Sequence, residues 1–250
     1  MKILVFFSTL LFIAVAAGAQ NLSIGAKGGI SIPNLTAGSG NQNPINTGYS
    51  SRFGPDGALF AQWQFSPLFS LQADIEYSSQ GGKKNGLQAI NTPDQIAAMF
   101  PPGQAPAYLY ARYNSEAKMN YLMLPILAGF GWNISKSPWR IYASFGPFVS
   151  LLVSAHQVTS GNSPFYSDAA GENQISPSQS FDNNQNIRGQ LHRLNGGLEG
   201  DVGVKYQFAH CAVFIEGGGN YGLFNIQKNA ADGKNETGAA SIVLGYAYNF

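Results

Sequence analysis

The chain has 250 residues, only 11% of them charged, with a formal net charge of +1. That length holds one large all-β domain or two small ones. So few charges argue against a nucleic-acid partner, which needs a basic surface.

The opening segment, MKILVFFSTLLFIAVAAGAQ, carries Lys2, an apolar run from Ile3 to Ala17 and the small residues Ala17-Gly18-Ala19. This is the pattern of a signal peptide over 1–19 cleaved near Ala19, followed by a domain over 20–250. The apolar run is shorter than the roughly 20 residues of a bilayer-spanning helix. No cysteine follows the cleavage site, so a lipid anchor is not expected. Cys211 is the sole cysteine, which excludes an intramolecular disulfide.

From there the chain alternates with the period of a β-strand in eight segments. Leu22–Ile32 sets Leu22, Ile24, Ile30 and Ile32 against Ser23, Lys27 and Ser31. Arg52–Phe65 sets Phe53, Leu59, Ala61, Trp63 and Phe65 against Arg52, Asp56, Gln62 and Gln64. In Phe69–Gln80, Phe69, Leu71, Ala73, Ile75 and Tyr77 oppose Ser70, Gln72, Asp74, Glu76 and Ser78. Met119–Trp132 aligns Leu122, Leu124, Ile126, Phe130 and Trp132. Trp139–Ala155 aligns Trp139, Ile141, Phe145, Val149, Leu151 and Val153 against Arg140, Tyr142, Ser144 and Ser150. Arg193–Phe208 sets Leu194, Leu198, Val202, Val204, Tyr206 and Phe208 against Arg193, Glu199, Asp201 and Lys205. Cys211–Leu223 sets Val213, Ile215, Tyr221 and Leu223 against Glu216. The last segment, SIVLGYAYNF, aligns Ile242, Leu244, Tyr246, Tyr248 and Phe250.

Soluble sandwiches also alternate, so three further features decide the class. The segments are long enough for the roughly 9–11 residues a tilted strand needs to cross hydrocarbon. The connections at Ser66–Leu68, Asn133–Pro138 and around Ala209 are tight, whereas those at Pro33–Ser51, Gly81–Lys118, His156–His192 and Asn225–Glu236 are long. Short turns at one end and long loops at the other are the habit of bacterial outer-membrane barrels. Finally, Trp63, Phe65, Phe69, Trp132, Trp139, Tyr206, Phe208, Tyr248 and Phe250 all lie beside the tight turns or the chain end, as an aromatic girdle at one membrane interface would. The reading is an all-β, eight-stranded antiparallel up-and-down transmembrane β-barrel with long extracellular loops, its last strand closing on the first.

The stretches AKGGISIPNL, SLQADIEYSSQGGK, MNYLMLPILAGF, YASFGPFVSLL, GGLEGDVGVKYQF, GGGNYGLFNI and IVLGYAYNF resemble the PorT-like outer-membrane β-barrel family of Gram-negative bacteria. The resemblance implies a cell-envelope protein of porin-like fold set in outer-membrane lipid. It also implies a C-terminal strand read by the barrel assembly machinery, with an aromatic end and apolar residues at alternate positions. Family members often carry an acidic residue before the proline of the fourth strand and a basic one after it; here Met123 and Gly129 stand there. The family's founding name is linked to protein secretion, but fold does not carry function.

By parity the interior receives Lys27, Arg52, Arg140, Arg193 and Lys205 together with Asp56, Asp74, Glu76, Glu199, Asp201 and Glu216. Five cations against six anions predict a near-balanced network of ion pairs forming a polar plug, since unpaired buried charge is costly. A small ion or solute channel is the alternative. A lipid-modifying enzyme is a second alternative, drawing on Ser154, His156 and His192 at the outer rim with Glu76 and Ser78. A nucleophile must lie within hydrogen-bond reach of its base, and a simple meander does not make the third and fifth strands neighbours. No metal-ligand spacing occurs, and the glycine runs precede no helix, so no cofactor is expected.

In the outer loops, Thr92-Pro93-Asp94-Gln95 fits a capping box opening a short helix to about Phe100. The following AYLYARYN continues as a strand extension or offers Tyr108, Tyr110, Arg112 and Tyr113 as a contact surface for a protein or glycan partner. The loop from His156 to His192, rich in Ser, Asn and Gln, is expected to be mobile. The function expected is that of a non-enzymatic barrel in a structural, adhesion or accessory role, binding through its long outer loops.

Overall fold

The structure, a computed structural model, describes residues 21–37, 44–229 and 232–250; the expected signal peptide lies outside them. In chain order the elements are β1 (Leu22–Ala37), β2 (Gly54–Gln64), β3 (Phe69–Asn91), α1 (Asp94–Ala97), β4 (Tyr108–Asn133) and β5 (Trp139–Ser160). They continue with β6 (Asn162–Ser163), β7 (Gln179–Ser180), β8 (Asn183–Asn186), a 3-10 turn (Arg188–Gln190), β9 (Leu194–Gln207), β10 (Cys211–Gly222) and β11 (Asn235–Asn249). Strands β1 to β5 and β9 to β11 pair antiparallel in a closed ring of eight. Its closing seams pair Ser23 with Asn249 and Trp139 with Tyr206. Closure leaves no barrel strand with an unpaired edge, which is what hydrocarbon requires of a spanning sheet. No helix among the described residues is long and apolar enough to cross a membrane.

The alternation resolves into two faces. Ile24, Leu59, Ile75, Ile126, Val149, Val202, Ile215 and Leu244 project outward and are exposed. Lys27, Phe60, Asp74, Glu199, Glu216 and Val243, one residue out of step with them, are buried inside. At the tight-turn end the outward aromatics pack on one another: Phe69 against Phe65 and Phe130, Trp139 edge-on to Tyr206 at 5.0 Å, Tyr206 against Phe208, and Tyr248 against Phe250. Trp63 and Trp132 belong to the same rim, at the lower ends of β2 and β4. The turn after β2 is held by Ser66 Oγ, which accepts the N–H groups of Leu68 and Phe69.

Five strands outgrow their expected ends: β1 runs on to Ala37 and β11 starts at Asn235, besides β3, β4 and β5. The β3–β4 hairpin stays paired to Asn91 and Tyr108, and β5 runs to Ser160. The Tyr108–Tyr113 stretch is therefore strand. Its small second core shows why: Leu109, Ala111 and Tyr113 turn one way onto Phe165, with Ile90 and Phe181 packed beside them. Alternation breaks over Ser78–Gly82, all buried, where the residues just before β2 run between β1 and β3, the Arg52 N–H donating to the Pro33 carbonyl. There Arg52 donates to Ser79 Oγ and the Gln80 carbonyl, and Ser50 pairs with Lys83 through the backbone. Gly81 sits at φ 120°, where a Cβ would run into the Ala117 carbonyl; only glycine takes this conformation without strain.

Two loop expectations are corrected. Helix α1 ends at Ala97, short of Phe100, and the capping box does not form. Thr92 Oγ1 donates instead to the Pro106 carbonyl at 2.5 Å, tying the two ends of the loop together. The segment from His156 to His192 is folded: it continues β5, adds β6, β7 and β8, and lays β8 alongside β5.

Candidate functional site

Counted up from the tight turns, the inward side chains fall into three successive layers. The lowest is aromatic. Phe60 and Phe214 meet edge-to-face with centroids 5.7 Å apart, and Tyr142 lies edge-on to Phe214. Gly25, Gly203 and Gly245 lie against these rings, and a Cβ on any of the three would collide with one. Below, Lys205 donates to Gln62 Oε1 at 3.3 Å with its ammonium 5.2 Å from the Tyr142 ring centre. Arg140 donates to the Pro67 carbonyl and to Asn133 Oδ1 at the same rim.

The middle layer is charged. Lys27 Nζ bridges Glu216 Oε1 at 2.8 Å and Asp74 Oδ2 at 3.2 Å. Tyr142 donates from below to Glu216 Oε2, Gln72 donates to Asp74 Oδ2, and Ser144 to Asp201 Oδ2. Asp56 accepts from Ser78, which in turn accepts from Gln80. Asp74, Glu76 and Glu199 bring carboxylate oxygens within 4.8 Å of one another.

The upper layer is apolar. Met119, Tyr121, Met123, Phe148 and Leu152 are buried together, and Leu35 from the upper end of β1 and Ile187, Leu191 and Ile226 from the loops close over them. Sequence reading missed this layer because it assigned only the even face of Met119–Trp132. The signal was present: the odd positions there include Met119, Tyr121, Met123 and Leu127, so both faces are apolar. Met123 thus takes part in hydrophobic packing. At Gly129 a Cβ would meet the hydroxyl of Ser70.

The single balanced network expected from parity is corrected. Among the charges assigned to it, only Lys27 ion-pairs with the central carboxylates; Arg140 and Lys205 lie at the lower rim. Arg52 lies higher and pairs with Glu116 at 2.8 Å, a partner the sequence reading missed because it lies beyond the expected start of β4. Arg193 is exposed just before β9, where its carbonyl accepts the Leu152 N–H. The apolar Leu191 enters the mouth instead, which spares a guanidinium the loss of its hydration.

Above the barrel, Tyr113 is buried and stacks on Phe181 at 4.7 Å, so it is withdrawn from any outer contact surface. Tyr108, Tyr110 and Arg112 stay at least partly accessible, with Arg112 5.9 Å from the Tyr166 ring centre. Lys84 donates to the Ile45 carbonyl and stands 4.3 Å over the Tyr49 ring; burial pushes Lys84 down to about 8 and Tyr49 up to about 12. Ser154 accepts from Asn120, His156 meets Asn184 and His192 is exposed. No hydrogen bond joins Ser154 to a histidine among the described residues.

Comparison with solved structures finds distant likenesses. Neisserial surface protein A is 10% identical, with a TM-score of 0.40 over 92% of this chain and 97% of that one. Ail, the attachment invasion locus protein of Yersinia pestis, is 11% identical, with a TM-score of 0.35 over 92% and 99%. The outer membrane protease OmpT of Escherichia coli is 11% identical, with a TM-score of 0.34 over 93% and 97%. Similarity this low says nothing about activity. No curated protein matches the sequence. Residues 18–228 match the family model of the outer membrane protein beta-barrel domain. With the ring of eight strands and its apolar outer face, this makes the chain a member of that Gram-negative outer-membrane family.

Proposed function

We propose that this protein is a non-enzymatic, PorT-like outer-membrane barrel with a plugged lumen, which serves a structural, adhesion or accessory role through its outer loops. The precursor is cut near Ala19, and the C-terminal strand presents the aromatic end that the assembly machinery reads. The observation that supports this reading is the stacking of three unlike layers inside the ring. A water-filled path would have to pass the rings of Phe60, Phe214 and Tyr142, then the Lys27 bridge, then the packing around Met119 and Phe148. Breaking a buried pair such as that of Lys27 costs about 3–5 kcal/mol, which opposes spontaneous opening.

The loops supply the surface for a partner. The extended β3–β4 hairpin and the folded segment after β5 form a small lobe with its own apolar core, so its outer residues are held in fixed positions. Tyr110 pairs through its backbone with Tyr166, and Arg112 lies beside them. An aromatic and cationic patch of this kind suits a protein or glycan partner.

Planar-bilayer recording of the purified barrel tests the plug: a flat current is expected, and steady unitary openings would refute it. Binding of cells or glycan arrays by the wild type, but not by a Tyr110→Ala, Arg112→Ala variant, tests the loop surface.

A further inference from the structure

The carboxylates of the middle layer outnumber their cations. Asp56, Asp74, Glu76, Glu199, Asp201 and Glu216 are all buried there. Lys27 is the one cation ion-paired to them among the described residues, and it serves Asp74 and Glu216. Glu76 and Glu199, each 4% exposed, have no ion pair. Two oxygens are also left without a hydrogen-bond donor in the protein: Oε2 of Glu199, and Oδ1 of Asp74, which is 3% exposed. Buried anionic oxygens of this kind are strongly disfavoured unless a positive charge reaches them.

Geometry brings the unsatisfied groups to one place. Asp74 and Glu76 are successive inward residues of β3, and Glu199 comes from β9, with β4 and β5 between them on the shorter way round the ring. One carboxylate oxygen from each lies within 4.8 Å of the other two, a spacing that one ion coordinated at about 2.3–2.6 Å can span.

We propose that Asp74, Glu76 and Glu199 hold a divalent cation inside the barrel, at the level where Lys27 bridges Asp74 and Glu216. An all-oxygen carboxylate set selects a hard ion, of the calcium, magnesium or manganese class, over zinc or copper, which favour nitrogen and sulfur. The ion cross-links β3 to β9 through the lumen, a tie that backbone pairing cannot make. This site rests on the interior alone and is independent of what the outer loops bind.

The test uses the full mature chain folded in detergent, stripped with EDTA and then dialysed against calcium, magnesium or manganese. About one ion per chain is expected by elemental analysis, with an unfolding midpoint that climbs as the cation is raised. Glu199→Gln and Glu76→Gln should each retain less than about a tenth of that metal, while Glu116→Gln at the outer rim binds as the wild type does. Absence of retained metal with all three cations overturns the site, as does full retention by both cluster variants. Stabilisation by acid alone, with no response to cations, also overturns it, because protons then balance the charge. Where the variants fail to show the heat-modifiable gel shift of a folded barrel, manganese titration of the wild type followed by electron paramagnetic resonance decides. An immobilised signal saturating at one site supports the proposal, and a spectrum of free ion throughout overturns it.

Discussion

The hydroxyl of Tyr142 donates to Oε2 of Glu216 at 3.0 Å, and the same ring lies edge-on to Phe214. One side chain therefore joins the aromatic layer of the lumen to the charged layer above it. Removing only the hydroxyl, in Tyr142→Phe, keeps the packing and deprives a buried carboxylate oxygen of its donor. A loss of about 1.5–3 kcal/mol is expected for a hydrogen bond to a charged group, read as a lower urea midpoint for unfolding from micelles. An unchanged midpoint would show that this link contributes nothing.

Lys27 is the hub of the middle layer. Lys27→Met keeps much of the side chain's bulk and leaves Asp74 and Glu216 without their shared cation. Destabilisation of about 3–5 kcal/mol is expected, and Lys27→Arg should recover only part of it, because a forked guanidinium does not match a point bridge. The measurement is the fraction of protein showing the heat-modifiable gel shift across a urea series.

Gly245 leaves room for the ring of Phe214, since any Cβ there would strike it. Gly245→Val overpacks the lower lumen and should cost about 1–3 kcal/mol. Trimming the partner in Gly245→Val, Phe214→Ala should return part of the loss, whereas two independent effects would add. A thermal-melt double-mutant cycle separates the two cases.

The outer lobe should loosen without the barrel. Tyr113 and Phe181 stack nearly parallel, 9° apart, and Phe165 meets Phe181 edge-on. Phe181→Ala removes the ring common to both contacts. Protease should then cut between Ser160 and Arg188 at least about tenfold faster, in line with a local loss above about 1.4 kcal/mol. The gel shift of the barrel should stay as it was.

Acid should loosen the loop around Asp168. Its carboxylate accepts the N–H of Asn173 at 2.6 Å, and those of Ala170 and Glu172. These bonds, with Asn173 foremost, hold the carboxyl below its ordinary range. A carboxyl depressed by folding contributes stability that is complete above the unfolded value near about 3.9 and is lost as pH falls through the folded value. Amide protection at Ala170, Glu172 and Asn173, corrected for intrinsic exchange, should therefore drop below about pH 4. Asp168→Asn should show weaker protection and no such pH step.

The ring itself was legible in the sequence. Alternation of Phe69–Tyr77 and Ile242–Phe250, together with aromatics beside tight turns, fixes strand, face and membrane interface by local rules alone. The faces come from the two-residue period of a strand, and closure follows because lipid tolerates no unpaired backbone. Lys27, Asp74 and Glu216 share the polar parity of their strands, and all three are buried within the ring.

What local pattern could not carry is which inward groups meet. Lys27 finds Asp74 and Glu216 through the stagger of strands around the ring, a quantity no single segment encodes. Arg193 obeys inward parity yet is exposed at the mouth of the ring, where its guanidinium keeps its hydration. Tyr113 reads as an exposed loop aromatic until Phe181, 68 positions along the chain, folds over it. Period and composition set the wall, then, while contacts across the lumen and between loops depend on three-dimensional closeness between residues far apart in sequence. The meeting of Glu76 with Glu199 is of that second kind: it exists only once the sheet has closed.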